Sequence, residues 1–166
     1  MKIIWINGSI NAGKSTIAAA LHSKIRKSVN IELDHLRHFA ENDKLESIAE
    51  YIIKDALELA KKWSQRGYLP ILTWPLIGDD GIMFEYAEKI GLEPIVVNLV
   101  PQKDSIKRNR GGRELTEWEM SRIDYMYENN VHKPKFGTSI NNTHQTVDET
   151  LAEVMKFISN FVKPYL

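Results

Sequence analysis

Residues 8 to 15 read Gly8-Ser9-Ile10-Asn11-Ala12-Gly13-Lys14-Ser15, a full match to the pattern G-x-x-x-x-G-K-[ST]. This octet constrains the fold more than any other feature, because it works only as the turn between a buried strand and a helix. Both flanks are legible. Lys2-Ile3-Ile4-Trp5-Ile6 is a short apolar run bounded by Asn7-Gly8, which suits a buried parallel strand. Beyond the octet, Ile17, Ala18, Leu21 and Ile25 recur at helical spacing in an Ala-rich segment. The glycines let the backbone bend so that successive N–H groups point at phosphate oxygens. Lys14 reaches the β- and γ-phosphates and the Ser15 hydroxyl ligates Mg²⁺, while the helix start adds a favourable dipole. Gly8, Ser9, Ile10, Asn11, Ala12, Gly13, Lys14, Ser15 and Thr16 are therefore expected to bind a nucleoside triphosphate. The bland alternative is a Gly-rich turn that merely joins strand to helix. Nothing in the octet separates ATP from GTP.

The chain has 166 residues, ordinary for one domain with one sizeable core, so a single domain over 1–166 is expected. Basic and acidic residues balance at 22 and 22, which advertises neither nucleic acid nor an anionic membrane as a partner. With no cysteine there is no disulfide, no Cys-based metal site and no thiol nucleophile, and the composition suits the cytoplasm. The apolar run before Asn7 is shorter than a signal peptide requires, and no stretch approaches the roughly 20 apolar residues that span a bilayer. A monomer or a homodimer fits equally.

Helix and strand signals alternate along the chain. Strands are expected at Val29–Leu33, Tyr68–Thr73 and Ile95–Val100, with a short one at Thr138–Asn142. Helices are expected after Asp43, around Ile82–Ile90, over Thr116–Asn129 and after Thr146. Asp43 with Glu46, Thr116 with Glu119 and Thr146 with Glu149 each form the capping-box pattern. Such alternation argues for an α/β fold, a parallel sheet covered on both faces. Sites in these folds lie at the carboxyl ends of strands, here Asn7, Asp34, Thr73-Trp74-Pro75 and Pro101.

Asp34 follows the second strand and precedes Arg37 by three residues, one helical turn. A carboxylate there can take the proton of an attacking hydroxyl, and the arginine can hold an anionic or polar acceptor. The alternative is that Asp34 only caps the short helix Asp34–Phe39. His35 and His38 could be read as a metal pair, but no third ligand of matching spacing stands near them. Lys107-Arg108-Asn109-Arg110-Gly111-Gly112-Arg113 describes a basic, glycine-hinged loop between two helices. Cations closing over a transferring phosphoryl group would stabilise its spreading charge. A plain solvated loop, or a nucleic-acid contact, are the other readings. Trp74, Phe39 and Trp118 are candidates for an apolar acceptor pocket, or for core.

Gly8–Thr16, Asp34-x-x-Arg37, Arg110-Gly111-Gly112-Arg113 and Ile140-Asn141-Asn142-Thr143 together resemble the small P-loop kinases, the group of shikimate, gluconate and nucleoside monophosphate kinases. The pattern is most similar to chloramphenicol phosphotransferase, and Ile3–Gly8 also resembles the ATP-binding tunicamycin-resistance protein. The resemblance implies a three-layer sandwich on a five-stranded parallel sheet of order 2-3-1-4-5, with a small lid over about 102–130. It implies transfer of the γ-phosphate of Mg-ATP to a hydroxyl of a small molecule. Asp34 would be the base, Lys14, Arg110 and Arg113 would be the catalytic cations, and Arg37 and Trp74 would face the acceptor. One departure stands out. Many relatives carry an acid at the end of the third strand to help hold Mg²⁺, and here that position reads Thr73-Trp74-Pro75. Magnesium would then rest on Ser15 and, through water, on Asp34, or on Asp79 or Asp80.

Other classes are separable. A regulatory GTPase should carry N-K-x-D, and the chain has none. A polynucleotide 5′-hydroxyl kinase would need a basic groove. A non-catalytic ATP-binding module would explain the missing strand-end acid.

Overall fold

A computed structural model describes residues 1–40, 42–78, 80–108 and 114–166. Among them β1 (Lys2–Gly8) leads through the Gly-rich turn into α1 (Lys14–Lys24). β2 (Ser28–Glu32) is followed by the short α2 (Leu33–Arg37), a 3-10 turn at His38–Ala40, and the long α3 (Leu45–Gln65). Then come β3 (Leu69–Thr73), α4 (Asp80–Lys89), β4 (Glu93–Leu99), α5 (Lys103–Lys107), α6 (Glu117–Glu128), β5 (Thr138–Ile140) and α7 (Val147–Val162). The sheet is five-stranded and all parallel, in the order β2-β3-β1-β4-β5. This is the fold the resemblance implied.

Alternation along β1 divides the core in two. Ile3 and Trp5 point to one face, where they meet Ile53, Ala56, Leu57 and Ala60 of α3 and Met83 and Ala87 of α4. Ile4 and Ile6 point to the other, against Ile17, Ala18 and Leu21 of α1 and Leu151, Val154, Ile158 and Val162 of α7. Both faces are apolar because both are covered, which is why β1, β3 and β4 read as apolar runs. Each fully buried Ile or Leu contributes about 1.5–3 kcal/mol of transfer free energy.

Two capping boxes form as the sequence predicts. Thr116 Oγ1 accepts from Glu119 N at 3.2 Å while the Glu119 carboxylate accepts from Thr116 N, and Thr146 with Glu149 repeats the arrangement. The third does not form. Asp43 is spent on a turn in which its N–H donates to Ala40 O at 3.1 Å, and α3 starts one residue late, with Lys44 at the cap position. Glu46 therefore falls one place short of the third helical position that the box requires.

The register sets the strand ends in one row: Glu32 beside Thr73, Gly8 beside Leu99, and Leu99 beside Ile140. Buried polar side chains tie this row to the loops above it. Asn7 Nδ2 donates to Asn98 Oδ1 at 2.8 Å, and Asn98 Nδ2 donates to Phe136 O at 2.6 Å. Asn7 Oδ1 accepts from Leu76 N, and Trp5 Nε1 donates to Trp74 O at 3.2 Å. The segment leaving β3 is thus fixed to the middle of the sheet.

Candidate active site

The Gly-rich turn has its conformation forced by its surroundings. A Cβ on Gly8 would lie 2.8 Å from Leu99 O, so only glycine lets β1 run this close to β4. Gly13 has φ of +95°, a left-handed cap from which α1 begins. The turn is also held from outside. Asn142 Nδ2 donates to Ala12 O at 2.9 Å from the β5–α7 connection, and Asn11 Nδ2 donates to Ile106 O at 2.7 Å in α5. Neither contact was legible in the sequence, since both join segments about a hundred residues apart.

A cavity of about 650 Å³ opens at the carboxyl ends of the strands. The turn contributes Ile10, Asn11, Gly13, Lys14, Ser15 and Thr16 to its wall; Gly8, Ser9 and Ala12 are buried beneath it. Asp34 and Arg37 of α2, Leu45, Glu46 and Ala49 of α3, and Trp74, Pro75 and Ile77 after β3 also line it. Trp118, Glu119 and Arg122 of α6 complete it. The structure therefore brings Lys14, Ser15, Asp34, Arg37, Trp74 and Trp118 to one cavity. Trp74 is buried, whereas Trp118 is 57% exposed. Phe39 does not join them; it lies 88% exposed on the turn after α2.

Lys14 Nζ donates to Ser9 O at 2.9 Å, folded back over the turn. Burial pushes its pKa down to about 8, against the pull of the Asp34 and Glu32 carboxylates, which favour the charged form. Glu32, the last residue of β2, was not singled out from the sequence; its one signal is its place at a strand end. Asp34 is not the cap of its helix. Glu32 holds that position without a side-chain bond, and Asp34 sits in the first turn with its carboxylate exposed toward the cavity. Capping therefore does not account for Asp34, a correction to the alternative reading.

The arrangement can hold Mg²⁺ in the way that ion prefers. Mg²⁺ keeps several waters and takes one or two protein ligands besides phosphate oxygens. Ser15 and Asp34 line the same cavity, and among the described residues no cluster of three or more His, Cys, Asp or Glu could hold a metal without a nucleotide. The β3 end offers buried Thr73 and Trp74 and no carboxylate. Asp80 opens α4 and does not line the cavity. Asp79, Arg110 and Arg113 lie outside the described residues.

No protein-family model matches the sequence, and no curated protein matches it. Solved structures do. APS kinase of Mycobacterium tuberculosis, solved with AMPPNP and APS, superposes with a TM-score of 0.69 at 16% identity, covering 95% of this chain and 97% of that one. Shikimate kinase of Aquifex aeolicus gives 0.61 at 16% identity over 97% and 98% of the two chains. The tunicamycin resistance protein of Deinococcus radiodurans gives 0.60 at 15% identity over 95% and 96%. The fold is that of the P-loop kinases. At these identities the likeness speaks for the fold, and the chemistry must be argued from the cavity. No helix among the described residues is long and apolar enough to cross a membrane.

Proposed function

We propose that this chain is an ATP-dependent kinase that moves the γ-phosphate of Mg-ATP to a hydroxyl of a small molecule. The observation that carries the reading is the shared cavity: the phosphate-binding turn and the Asp34–Arg37 helix line one space, so donor and acceptor can be held side by side. Lys14 would bridge the β- and γ-phosphates, and Ser15 with Asp34, through water, would hold the magnesium. When bound, the ion neutralises charge on the β- and γ-oxygens. Asp34 accepts the proton of the acceptor hydroxyl, whose oxygen bonds to the γ-phosphorus as the bond to the β-γ bridging oxygen breaks and ADP leaves. Arg110 and Arg113, which follow α5 in the sequence, supply charge to the transferring group from the lid. Arg37 and Trp74 face the acceptor.

Neighbours of this fold include an APS kinase, a shikimate kinase and a thymidylate kinase, so the fold alone does not choose among sugars, antibiotics or nucleotides. A polynucleotide acceptor is disfavoured by the wall itself, where Asp34, Glu46 and Glu119 interrupt the cations. One observation favours a second reading, a non-catalytic ATP-binding module: the β3 end carries no carboxylate. ADP release from Mg-ATP separates the two. The assay runs against sugars, shikimate, nucleosides, antibiotics and 5′-hydroxyl oligonucleotides. Acceptor-dependent ADP release supports the kinase; ATP binding with no release across the panel favours the module.

A further inference from the structure

α6 supplies Trp118, Glu119 and Arg122 to the wall of the cavity. Its residues sort by face. Ile123 and Met126 are buried, while Asp124 turns to α5, 2.6 Å from Lys103 Nζ and 2.5 Å from Lys107 Nζ. That bridge and the Tyr127 hydroxyl, which donates to Pro101 O, fix the helix against the root of the loop after α5. The remaining face presents Trp118 and, one turn on, Arg122 to the cavity. Arg122 is half-buried, its guanidinium 5.1 Å from the Tyr125 ring. Arg37 is half-buried and lines the same cavity. Among the described residues neither arginine has a carboxylate within 4 Å. The acids of the same cavity are placed elsewhere. Glu119 accepts from Thr116 N and Oγ1, Asp34 acts on Lys14, and Glu46 is exposed at the rim.

Neither Arg37 nor Arg122 has a carboxylate partner among the described residues, and each offers a planar fork that suits a carboxylate or a phosphate monoester. An exposed indole beside them gives a flat apolar surface for a ring. Resting on the kinase reading above, we infer that the acceptor is an anionic, ring-bearing alcohol, its acidic group held between Arg37 and Arg122 and its ring laid on Trp118. Arg122 is thereby the residue that selects an acidic acceptor over a neutral one of the same shape. A neutral acceptor would forgo the charge-assisted hydrogen bonds that both guanidinium groups offer, so the preference follows from what the acidic acceptor gains.

The test uses the protein loaded with Mg-AMPPNP and titrated with matched alcohols, followed by calorimetry and indole fluorescence. Mandelate against 1-phenylethane-1,2-diol reads a carboxylate, and uridine 5′-monophosphate against uridine reads a phosphate. Nucleotide binding is measured first; if AMPPNP fails to bind, the kinase reading falls, and the mandelate pair on nucleotide-free protein still reads the acid preference. At least one acidic member should bind tenfold or more tightly than its neutral partner. Arg122→Gln should abolish that preference with the circular dichroism and the AMPPNP Kd unchanged, and Arg122→Lys should restore only part of it. No acidic member outbinding its neutral partner, or a preference that survives Arg122→Gln, overturns the inference.

Discussion

Lys14 and Asp34 line one cavity, the first a cation that burial weakens and the second an exposed carboxylate that favours its charge. If Lys14 bridges the phosphates, Lys14→Ala removes that charge and little packing, so transfer should be lost while the fold persists. The thermal shift given by ATP should shrink with it; equal shifts in wild type and variant would count against Lys14. If Asp34 is the base, Asp34→Asn should slow turnover by about 10²–10⁴-fold with ATP affinity nearly unchanged. Its place inside the first turn rather than at the cap makes a folding defect a poor explanation for such a loss. An unaltered rate, measured by single turnover with an acceptor from the panel, would remove it from the chemistry. At this scale the sequence was informative where a motif fixes residue type and spacing, as with Gly8, Gly13 and Lys14. It was silent on Arg122 and Glu32, because their importance comes from which helix face or strand end turns inward.

The helices test how far local signals carry. Thr146→Ala removes an oxygen that accepts from Glu149 N, and should cost about 1 kcal/mol, lowering Tm by about 2–4 °C. Asp43→Ala should change stability by less than about 0.5 kcal/mol, because the identical-looking box at Asp43 does not form. Thermal unfolding of the two variants side by side checks both, and an equal loss would mean that Asp43 caps α3 in solution. The three boxes look alike as text. What separates them is the chain entering the helix: at Asp43 the preceding 3-10 turn claims the N–H and shifts α3 by one residue. Strand order had no local signal at all and came from the resemblance, whereas the existence of each strand was written in its apolar run. The lid belongs to this scale too. If Arg110 and Arg113 meet the developing charge, Arg110→Ala or Arg113→Ala should lower the transfer rate more than it weakens ATP binding, and lysine should rescue poorly. Arg108 should matter less. Wild-type single-turnover rates in all three alanine variants would reduce the segment to a solvated turn.

For the molecule as a whole, nucleotide binding and folding are linked through the same lysine. In the free protein Lys14 has a pKa of about 8, against 10.5 for an unburied lysine. Between these values the unfolded chain binds more protons than the folded one, so Lys14 makes stability rise as pH climbs from 8 to 10.5, and below 8 its full penalty is present. ATP reverses the sign. Phosphates at Lys14 favour the cation, so binding takes up a proton above pH 8 and affinity should fall, by up to tenfold per pH unit, as pH rises through that range. Saturating Mg-AMPPNP, at a hundred times its Kd, should stabilise the protein by about 2.7 kcal/mol, raising Tm by roughly 5–10 °C. That increment should be largest below pH 8 and shrink toward pH 10, while the nucleotide-free Tm loses less over the same interval than it does in Lys14→Met. Asn11 and Asn142 anchor the turn to α5 and to the β5–α7 connection, so protection should spread to both segments in hydrogen exchange. A nucleotide-induced shift that does not vary with pH from 7 to 10 would mean that Lys14 is charged in both states, and that burial does not govern it.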